Sequence, residues 1–181
     1  MPTMVIQTQE DALKLLNQLG ASPLLLQHHR LVTEAAVQFI DGLSPNLRPC
    51  VDTRQVLIGA ALHDAGKILY PDEITGHGNM HEQAGRELLT RNGIEPELAR
   101  YCVTHADWKQ PDLTAEDLLV AIADTLWKGK RIHELEEFAI MRLAQFAGAD
   151  FWNIFVELDT LFQAVAERAD ERLERSKVPD T

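Results

Sequence analysis

Single prolines and glycines divide this chain into about eight segments in which apolar residues recur at helical spacing. The longest segment, residues 150–175, places phenylalanine, isoleucine and leucine every three or four positions. No segment shows the sustained two-residue alternation between hairpin turns that is typical of half-buried strands. The sequence therefore predicts an all-α fold, a globular multi-helix bundle.

Capping residues set the boundaries of the predicted helices. Ser22 and Pro23 have N-cap and first-turn chemistry, and Thr114 with Asp117 three residues later forms a capping-box pattern. The predicted helices cover about residues 10–19, 22–42, 53–65, 81–93, 97–107, a sixth from 114 that carries Asp124, 134–146 and 150–175.

Length, charge and cysteine content limit the functions open to the chain. With 181 residues and 45% hydrophobic content, one domain over residues 1–181 is expected, with its motif core at 22–131 and packing helices at 132–176. The formal net charge of −11 disfavours partnership with nucleic acid or an anionic membrane. The two cysteines are too few for a disulfide framework, and the start of the chain lacks the pattern of a signal peptide. We expect a soluble, cytoplasmic protein.

Histidines and aspartates on separate predicted helices form the pattern that carries chemistry. They are a histidine, an adjacent His-Asp pair, two further histidines and a late aspartate: His28, His63, Asp64, His81, His105 and Asp124. Imidazole and carboxylate together suit a divalent transition metal such as Fe, Mn, Ni, Co or Zn. Because facing helices of a bundle can present such ligands, the pattern predicts one or two metals per chain.

Each member of this pattern has a simpler interpretation when it is taken alone. A lone histidine on an apolar helix, such as His28, is more often a core or boundary residue than a ligand. Asp64 can pair with Lys67 three residues later, and Asp124 can be a hydrogen-bonded aspartate in an apolar run. The order of all these residues, in a chain with only seven histidines, favours the metal.

The sequence around these residues resembles the HD-domain superfamily of metal-dependent phosphohydrolases, which is named for its adjacent His-Asp pair. The matching pieces read HHRLVTEAA, AALHDAGK, HEQAGRELL, VTH and AD, and they span just over half the chain. The resemblance implies a first metal at His28, His63, Asp64 and Asp124. It implies a second metal at His81 and His105, with Asp64 bridging the two.

Two of the implied ligands have neighbouring alternatives. Val32 falls at the family spacing from His28, yet His29 stays one residue away as a second candidate. His77, four residues before His81, is placed to reach the second metal if its loop curls inward.

The resemblance also implies a reaction. It is the cleavage of a phosphoester or phosphoanhydride bond, in a nucleotide or another small phosphorylated metabolite, by a metal-activated hydroxide. Asp64 and Lys67 are the expected catalytic residues, and Lys67 is also expected to contact phosphate. Lys128, Lys130 and Arg131 are further candidates for substrate binding, with a solvated helix end as the alternative. Asp72 and Glu73 are candidate general acids by position alone.

Other branches of the superfamily set the alternatives. The Gly-Tyr-Pro element of cyclic-dinucleotide phosphodiesterases is missing after His105, and the Glu-Asp pair of alarmone hydrolases is missing after the His-Asp motif. A di-iron oxygenase acting on a small polar substrate stays open, as does a metal-stabilised regulatory or binding domain. The apolar face of the last helix either covers the bundle or pairs with a second copy as a homodimer.

Overall fold

The computed structural model describes residues 5–177, and within them the chain forms ten α-helices and no strand. The predicted all-α fold is therefore confirmed. The helices are α1 (Gln9–Gln18), α2 (Pro23–Gly42), α3 (Thr53–Leu62), α4 (Met80–Arg91), α5 (Pro96–Ala99), α6 (Tyr101–Thr104), α7 (Ala115–Leu126), α8 (His133–Ala147), α9 (Phe151–Ala166) and α10 (Ala169–Ser176). Short 3₁₀ turns lie at Arg48–Cys50, Ala65–Ile68 and Pro71–Ile74. None of the described helices is long and apolar enough to span a lipid bilayer.

The predicted caps begin two helices that carry site residues. The Ser22 hydroxyl accepts a hydrogen bond from the backbone N–H of Leu25 at 3.2 Å, at the start of α2. At the start of α7, the Thr114 hydroxyl accepts from the backbone N–H of Asp117, whose carboxylate accepts from the backbone N–H of Thr114. These bonds satisfy N–H groups that have no partner within the helix.

Two predicted helices are each interrupted. The segment predicted at 97–107 divides into α5 and α6 at Arg100, and the segment predicted at 150–175 divides into α9 and α10 at residues 167–168. The second break turns α10 so that Arg172 is buried against the end of α7. The third predicted helix also ends earlier than expected, at Leu62, and His63 and Asp64 lie in the turn that follows.

Helix α3 lies at the centre of the bundle, in contact with α1, α2 and α7. The residues of its last turns, Ile58 to Leu62, are fully buried. Small side chains permit this close packing: a Cβ added to Gly59 would lie 2.8 Å from both the Tyr101 ring and the Val120 side chain. Close packing at the end of α3 brings the His-Asp pair within reach of the surrounding helices.

Glycine is also required where α4 crosses the turn after α3. A Cβ on Gly66 would collide with the carbonyl oxygen of His81. A Cβ on Gly85 would lie 2.7 Å from the backbone nitrogen of Gly66 and 3.0 Å from Cys102 Sγ. This close approach of two backbones places His81 beside Asp64.

Arg172 links α10 to the end of α7 by hydrogen bonds. Its side chain is 1% exposed, and its guanidinium donates to the carbonyl oxygens of Leu126 (3.4 Å), Trp127 (3.3 Å) and Val165 (2.9 Å) and to Gln38 Oε1 (2.7 Å). The last carbonyls of a helix need partners of this kind. The bond network fixes the end of the helix that carries Asp124.

We expect Arg172→Met to lower the free energy of unfolding by about 3 kcal/mol, because buried carbonyl oxygens would lose a charged donor. Urea unfolding followed by circular dichroism measures the change. Arg168→Met is the matched control, since Arg168 is exposed and pairs with Glu171 on the surface; its expected effect is below about 0.5 kcal/mol. Equal stability of the two variants would contradict this role of Arg172.

Candidate metal centre

Side chains from three helices, and from the residues that directly follow two others, meet at one place in the bundle. His28 comes from the second turn of α2, His81 from the first turn of α4, and Asp124 from the last turn of α7. His63 and Asp64 directly follow α3, and His105 directly follows α6. The structure thus brings together all six residues that the sequence singled out.

The first group of ligand atoms consists of two imidazole nitrogens and two carboxylate oxygens, all within 4.8 Å of one another. His28 Nε2 lies 2.9 Å from Asp64 Oδ2 and 3.4 Å from His63 Nε2. Asp124 Oδ1 lies 3.4 Å from His63 Nε2 and 3.9 Å from His28 Nε2. A donor set of this composition suits a divalent transition metal.

The second group shares Asp64 with the first. Asp64 Oδ1 lies 3.1 Å from His81 Nε2 and 3.5 Å from His105 Nε2. The other carboxylate oxygen, Oδ2, faces His28 and His63. One side chain therefore presents one oxygen to each group, which is the arrangement a carboxylate bridge between two metals requires.

Hydrogen bonds at the far side of three imidazole rings fix which nitrogen is available as a ligand. His63 Nδ1 lies 2.8 Å from the carbonyl oxygen of Ala60, and His105 Nδ1 lies 2.9 Å from that of Tyr101. A carbonyl oxygen can only accept, so each Nδ1 carries the proton and each Nε2 is left free to bind a metal. His81 Nδ1 is bonded in the same way to the Glu73 carboxylate.

Asp64 provides a second indication that a cation belongs here. Its Oδ1 is buried and, although His81 Nε2 lies 3.1 Å away, it accepts no hydrogen bond of good geometry within residues 5–177. The pairing with Lys67 that the simpler interpretation predicts is present, with Lys67 Nζ 2.6 Å from Oδ2. That ion pair leaves Oδ1 unsatisfied, and a buried carboxylate oxygen without a partner is costly. The residues fit a bound metal.

The charged groups of the site shift one another's pKa values. Burial lowers the pKa of His63, but the Asp64 and Asp124 carboxylates outweigh burial and raise that pKa from 6.5 to about 10. Burial raises the pKa of both carboxyl groups, yet His63 outweighs it and keeps both below their usual range. Burial and the His63 charge lower the pKa of His105 to about 4. In the metal-free protein, a proton on His63 takes the place of a cation between two carboxylates.

The two alternative ligands lie outside both groups. His29 is fully buried, its ring packs edge-on against His63 at a centroid distance of 5.2 Å, and burial keeps its pKa well below the usual value. His77 is exposed in the loop before α4. The structure therefore favours His28 over His29 and His81 over His77.

The structure indicates a different role for Glu73 from the one that its position in the sequence suggested. Its Oε2 accepts hydrogen bonds from both Nδ1 and the backbone nitrogen of His81. A carboxylate bonded in this way orients the His81 ring, and the hydrogen bond from His81 lowers the pKa of Glu73, which disfavours a role as general acid. Asp72, the other candidate acid, is exposed.

The structure corrects the prediction that Arg131 helps to bind the substrate. Its guanidinium donates to both oxygens of Glu136, at 3.0 and 2.6 Å, to Asp159 Oδ1 at 2.6 Å and to Gln163 Oε1 at 3.0 Å. Because these partners occupy its donors, Arg131 joins α8 to α9 and does not reach the site. Lys128 and Lys130 are exposed in the turn after α7, and their contact with a substrate stays a prediction.

Sequence reasoning missed Trp127, which adjoins the site. Its ring meets the His28 ring edge-on at a centroid distance of 5.2 Å, and both residues line a cavity of about 250 Å³. Trp127 follows Asp124 by three residues, so helical spacing places them on the same side of α7; that signal could have found it. A larger cavity of about 380 Å³, lined in part by Trp108 and Phe138, contains none of the six clustered residues.

Comparison with known proteins agrees with the pattern of ligands. The family model for the HD domain matches residues 25–127, more than half of the chain and all six clustered residues. The chain is also similar to a tRNA (cytidine(56)-2'-O)-methyltransferase of Thermoplasma volcanium, with 27% identity in an alignment 149 positions long, which covers 74% of this chain. It spans only 40% of that relative's length. No solved structure matches the chain.

We expect substitutions in the two groups of ligands to have different effects on the metal content. Asp64→Ala should remove essentially all bound manganese, while His81→Ala and His105→Ala should each leave about one ion per chain, because the first group stays complete. Metal analysis after loading and desalting measures the content, and circular dichroism checks the fold. His77→Ala is the matched control and should bind as much metal as the unsubstituted protein. The two-metal arrangement is wrong if the unsubstituted protein binds one ion and His81→Ala leaves it in place.

The raised pKa of His63 predicts proton release on metal binding. At pH 8, His63 of the metal-free protein is protonated because its pKa is about 10, so metal uptake should release at least about one proton per chain. Calorimetric titration with manganese in buffers of different ionisation enthalpy counts the protons. Affinity should rise as pH rises, by about tenfold per unit between pH 7 and 8.5, because the competing proton is removed. A binding enthalpy independent of the buffer would contradict the prediction.

The raised pKa of His63 also affects the stability of the metal-free protein. A folded-state pKa above the unfolded value means that protonated His63 stabilises the fold below pH 6.5, and that this contribution is lost as pH rises towards 10.

Proposed function

Because the chain belongs to the HD-domain family, we propose that it is a metal-dependent phosphohydrolase acting on a small phosphorylated metabolite such as a nucleotide. The observation that carries the proposal is the position of Asp64, whose two oxygens face two separate groups of imidazole nitrogens. Such a pair of adjacent sites is typical of enzymes that transfer phosphoryl groups to water.

The residues of the site would have separate roles in this reaction. His28, His63, Asp64 and Asp124 would hold one metal, and Asp64, His81 and His105 would hold the other. When bound, the metals supply Lewis acidity towards phosphoryl oxygens and lower the pKa of water. The carbonyl oxygens of Ala60 and Tyr101 keep two of the rings in the orientation that binding needs, and Glu73 does the same for His81. Hydrolysis breaks the P–O ester bond; water provides a hydroxyl for the phosphate and a proton for the alcohol that leaves.

Lys67 is the side chain best placed to bind the phosphate. Its Nζ lies 2.6 Å from Asp64 Oδ2, its side chain is 15% exposed, and it lines the cavity beside His28. An ammonium group in this position offers positive charge to phosphate oxygens. Local charge of this kind is needed because the whole chain carries a formal net charge of −11.

The substrate is proposed to be a small molecule and not a nucleic acid. The relative from Thermoplasma volcanium is by its name a tRNA methyltransferase, but the chain spans only 40% of it. The net charge of −11 disfavours the contacts with many phosphates on which binding to RNA depends. We therefore do not transfer the activity of that protein to this chain.

An activity panel tests the proposal. The protein is loaded separately with manganese, nickel, cobalt and iron, then assayed with nucleoside monophosphates, dinucleoside polyphosphates and p-nitrophenyl esters of phosphate. At least one loaded form should release product, Asp64→Asn should lower kcat/KM by at least about 1,000-fold, and Lys67→Met should lower it about 100-fold. Lys109→Met is the matched control for a lysine, because Lys109 is exposed and pairs with Glu134 away from the site.

Two results would overturn the proposal. One is the lack of turnover with every metal and ester; the other is full activity of Asp64→Asn. The donor set also suits iron, so oxygen consumption is measured in parallel with the iron-loaded protein and small polar compounds that carry no phosphate. Oxygen uptake without phosphoester hydrolysis would replace the hydrolase by an oxygenase.

A further inference from the structure

The cavity beside the metal centre is bounded by parts of the chain that lie far apart in sequence. Its volume is about 250 Å³, and it includes one residue of the first ligand group, His28, and the proposed phosphate-binding residue, Lys67. The remaining lining residues are Leu24, Leu25, Ile74, Thr75, Trp127 and Ser176. A phosphate held at the metals and Lys67 would place its ester group in or beside this space.

The walls of the cavity are mostly apolar. Leu24 and Ile74 provide aliphatic surface, and Trp127 provides an indole ring. The indole Nε1 of Trp127 is buried and has no hydrogen-bond partner among residues 5–177, although a buried indole N–H usually has one. Trp127 therefore adds an aromatic side chain to these walls.

The walls of the cavity carry little charge. Of the eight lining residues found among residues 5–177, none is acidic, and Lys67 is the one lysine or arginine. This arrangement suits a ligand with a single anionic phosphate at one end and an uncharged organic group at the other. The further phosphates of a triphosphate would find no additional cation in these walls.

The volume of the cavity suits an organic group of moderate size. Pockets for drug-sized ligands range from about 300 to 1,000 Å³, so a space of about 250 Å³ suits one base and sugar better than two nucleosides.

On the basis of the proposed hydrolase function, we propose that this cavity binds the organic group of a phosphate monoester, an aromatic group of about nucleoside size, and that Trp127 determines this preference. Stacking of an aromatic group on the indole would contribute binding energy that a small aliphatic ester does not gain. Trp127 acts on the choice of substrate, while the metal ligands and Lys67 act on its phosphate.

Comparison of substrates tests the preference. In the metal-loaded protein, Trp127→Ala should lower kcat/KM for nucleoside monophosphates and p-nitrophenyl phosphate by about 30-fold, and should change kcat/KM for glycerol phosphate less than about twofold. Trp127→Phe should retain most of the activity, because it keeps an aromatic ring. Trp108→Ala, at the other cavity, is the matched control and should match the unsubstituted protein. Metal content is measured for each variant, since the Trp127 ring contacts His28.

A binding measurement gives a readout that does not depend on turnover. Saturation-transfer NMR with adenosine and thymidine, on the metal-free protein, should show contact with the nucleoside in the unsubstituted chain and its loss in Trp127→Ala. The pocket assignment is wrong if neither nucleoside binds, if Trp127→Ala slows aromatic and aliphatic esters equally, or if dinucleoside polyphosphates are the preferred substrates. Lack of turnover by every loaded form would instead count against the hydrolase function, and nucleoside binding would still decide the assignment of the cavity.

Discussion

A buried carboxylate, that of Asp64, is the constraint around which the rest of the site is arranged. Its side chain is 3% exposed and lies within 3.5 Å of ring nitrogens from four histidines. A carboxylate in such a position needs positive charge close by, because burial without it costs several kcal/mol. In the metal-free protein, the Lys67 ammonium and a proton on His63 provide that charge. Metals would provide it more completely, because they would also satisfy Oδ1.

The packing of the bundle serves this arrangement. Gly59 allows the Tyr101 ring and α7 to approach α3, and Gly66 allows α4 to cross directly over the turn that carries Asp64. Arg172 then caps the end of α7 from the C-terminal helix. The ligands come from elements that are far apart in sequence, so the positions of the ring nitrogens depend on these close contacts between backbones. Enlarging a glycine at either crossing would move ligands as well as weaken packing.

Local signals predicted much of this structure from sequence. The helical periodicity and the caps at Ser22 and Thr114 are set within a few residues, so the all-α fold and most helix boundaries were predictable. The candidate ligands were also predictable, because a His-Asp pair with further histidines on separate helices is typical of a metal site in a helical bundle. The prediction that failed, the one for Arg131, depended on contacts between segments that are distant in sequence. Arg131 looked like a free cation beside the site until its partners on α8 and α9, Glu136 and Asp159, were seen.

The same reason applies to the features that sequence analysis did not predict. The contact between Glu73 and His81 depends on the fold of the loop before α4, and the cavity beside Trp127 is closed by residues from both ends of the chain. The break before α10 is likewise linked to the burial of Arg172, which no local pattern indicates. Sequence therefore identified the candidate ligands of the site, and tertiary structure was needed to identify the residues that position them and line the proposed substrate pocket.

We propose that Asp64 bridges two metals. Anomalous diffraction from crystals of the manganese-loaded protein tests it most directly, because it locates each metal independently of activity. We predict two peaks, one beside His28, His63 and Asp124 and the other beside His81 and His105, with one oxygen of Asp64 directed to each. A single peak, or two peaks that do not share Asp64, would contradict this claim.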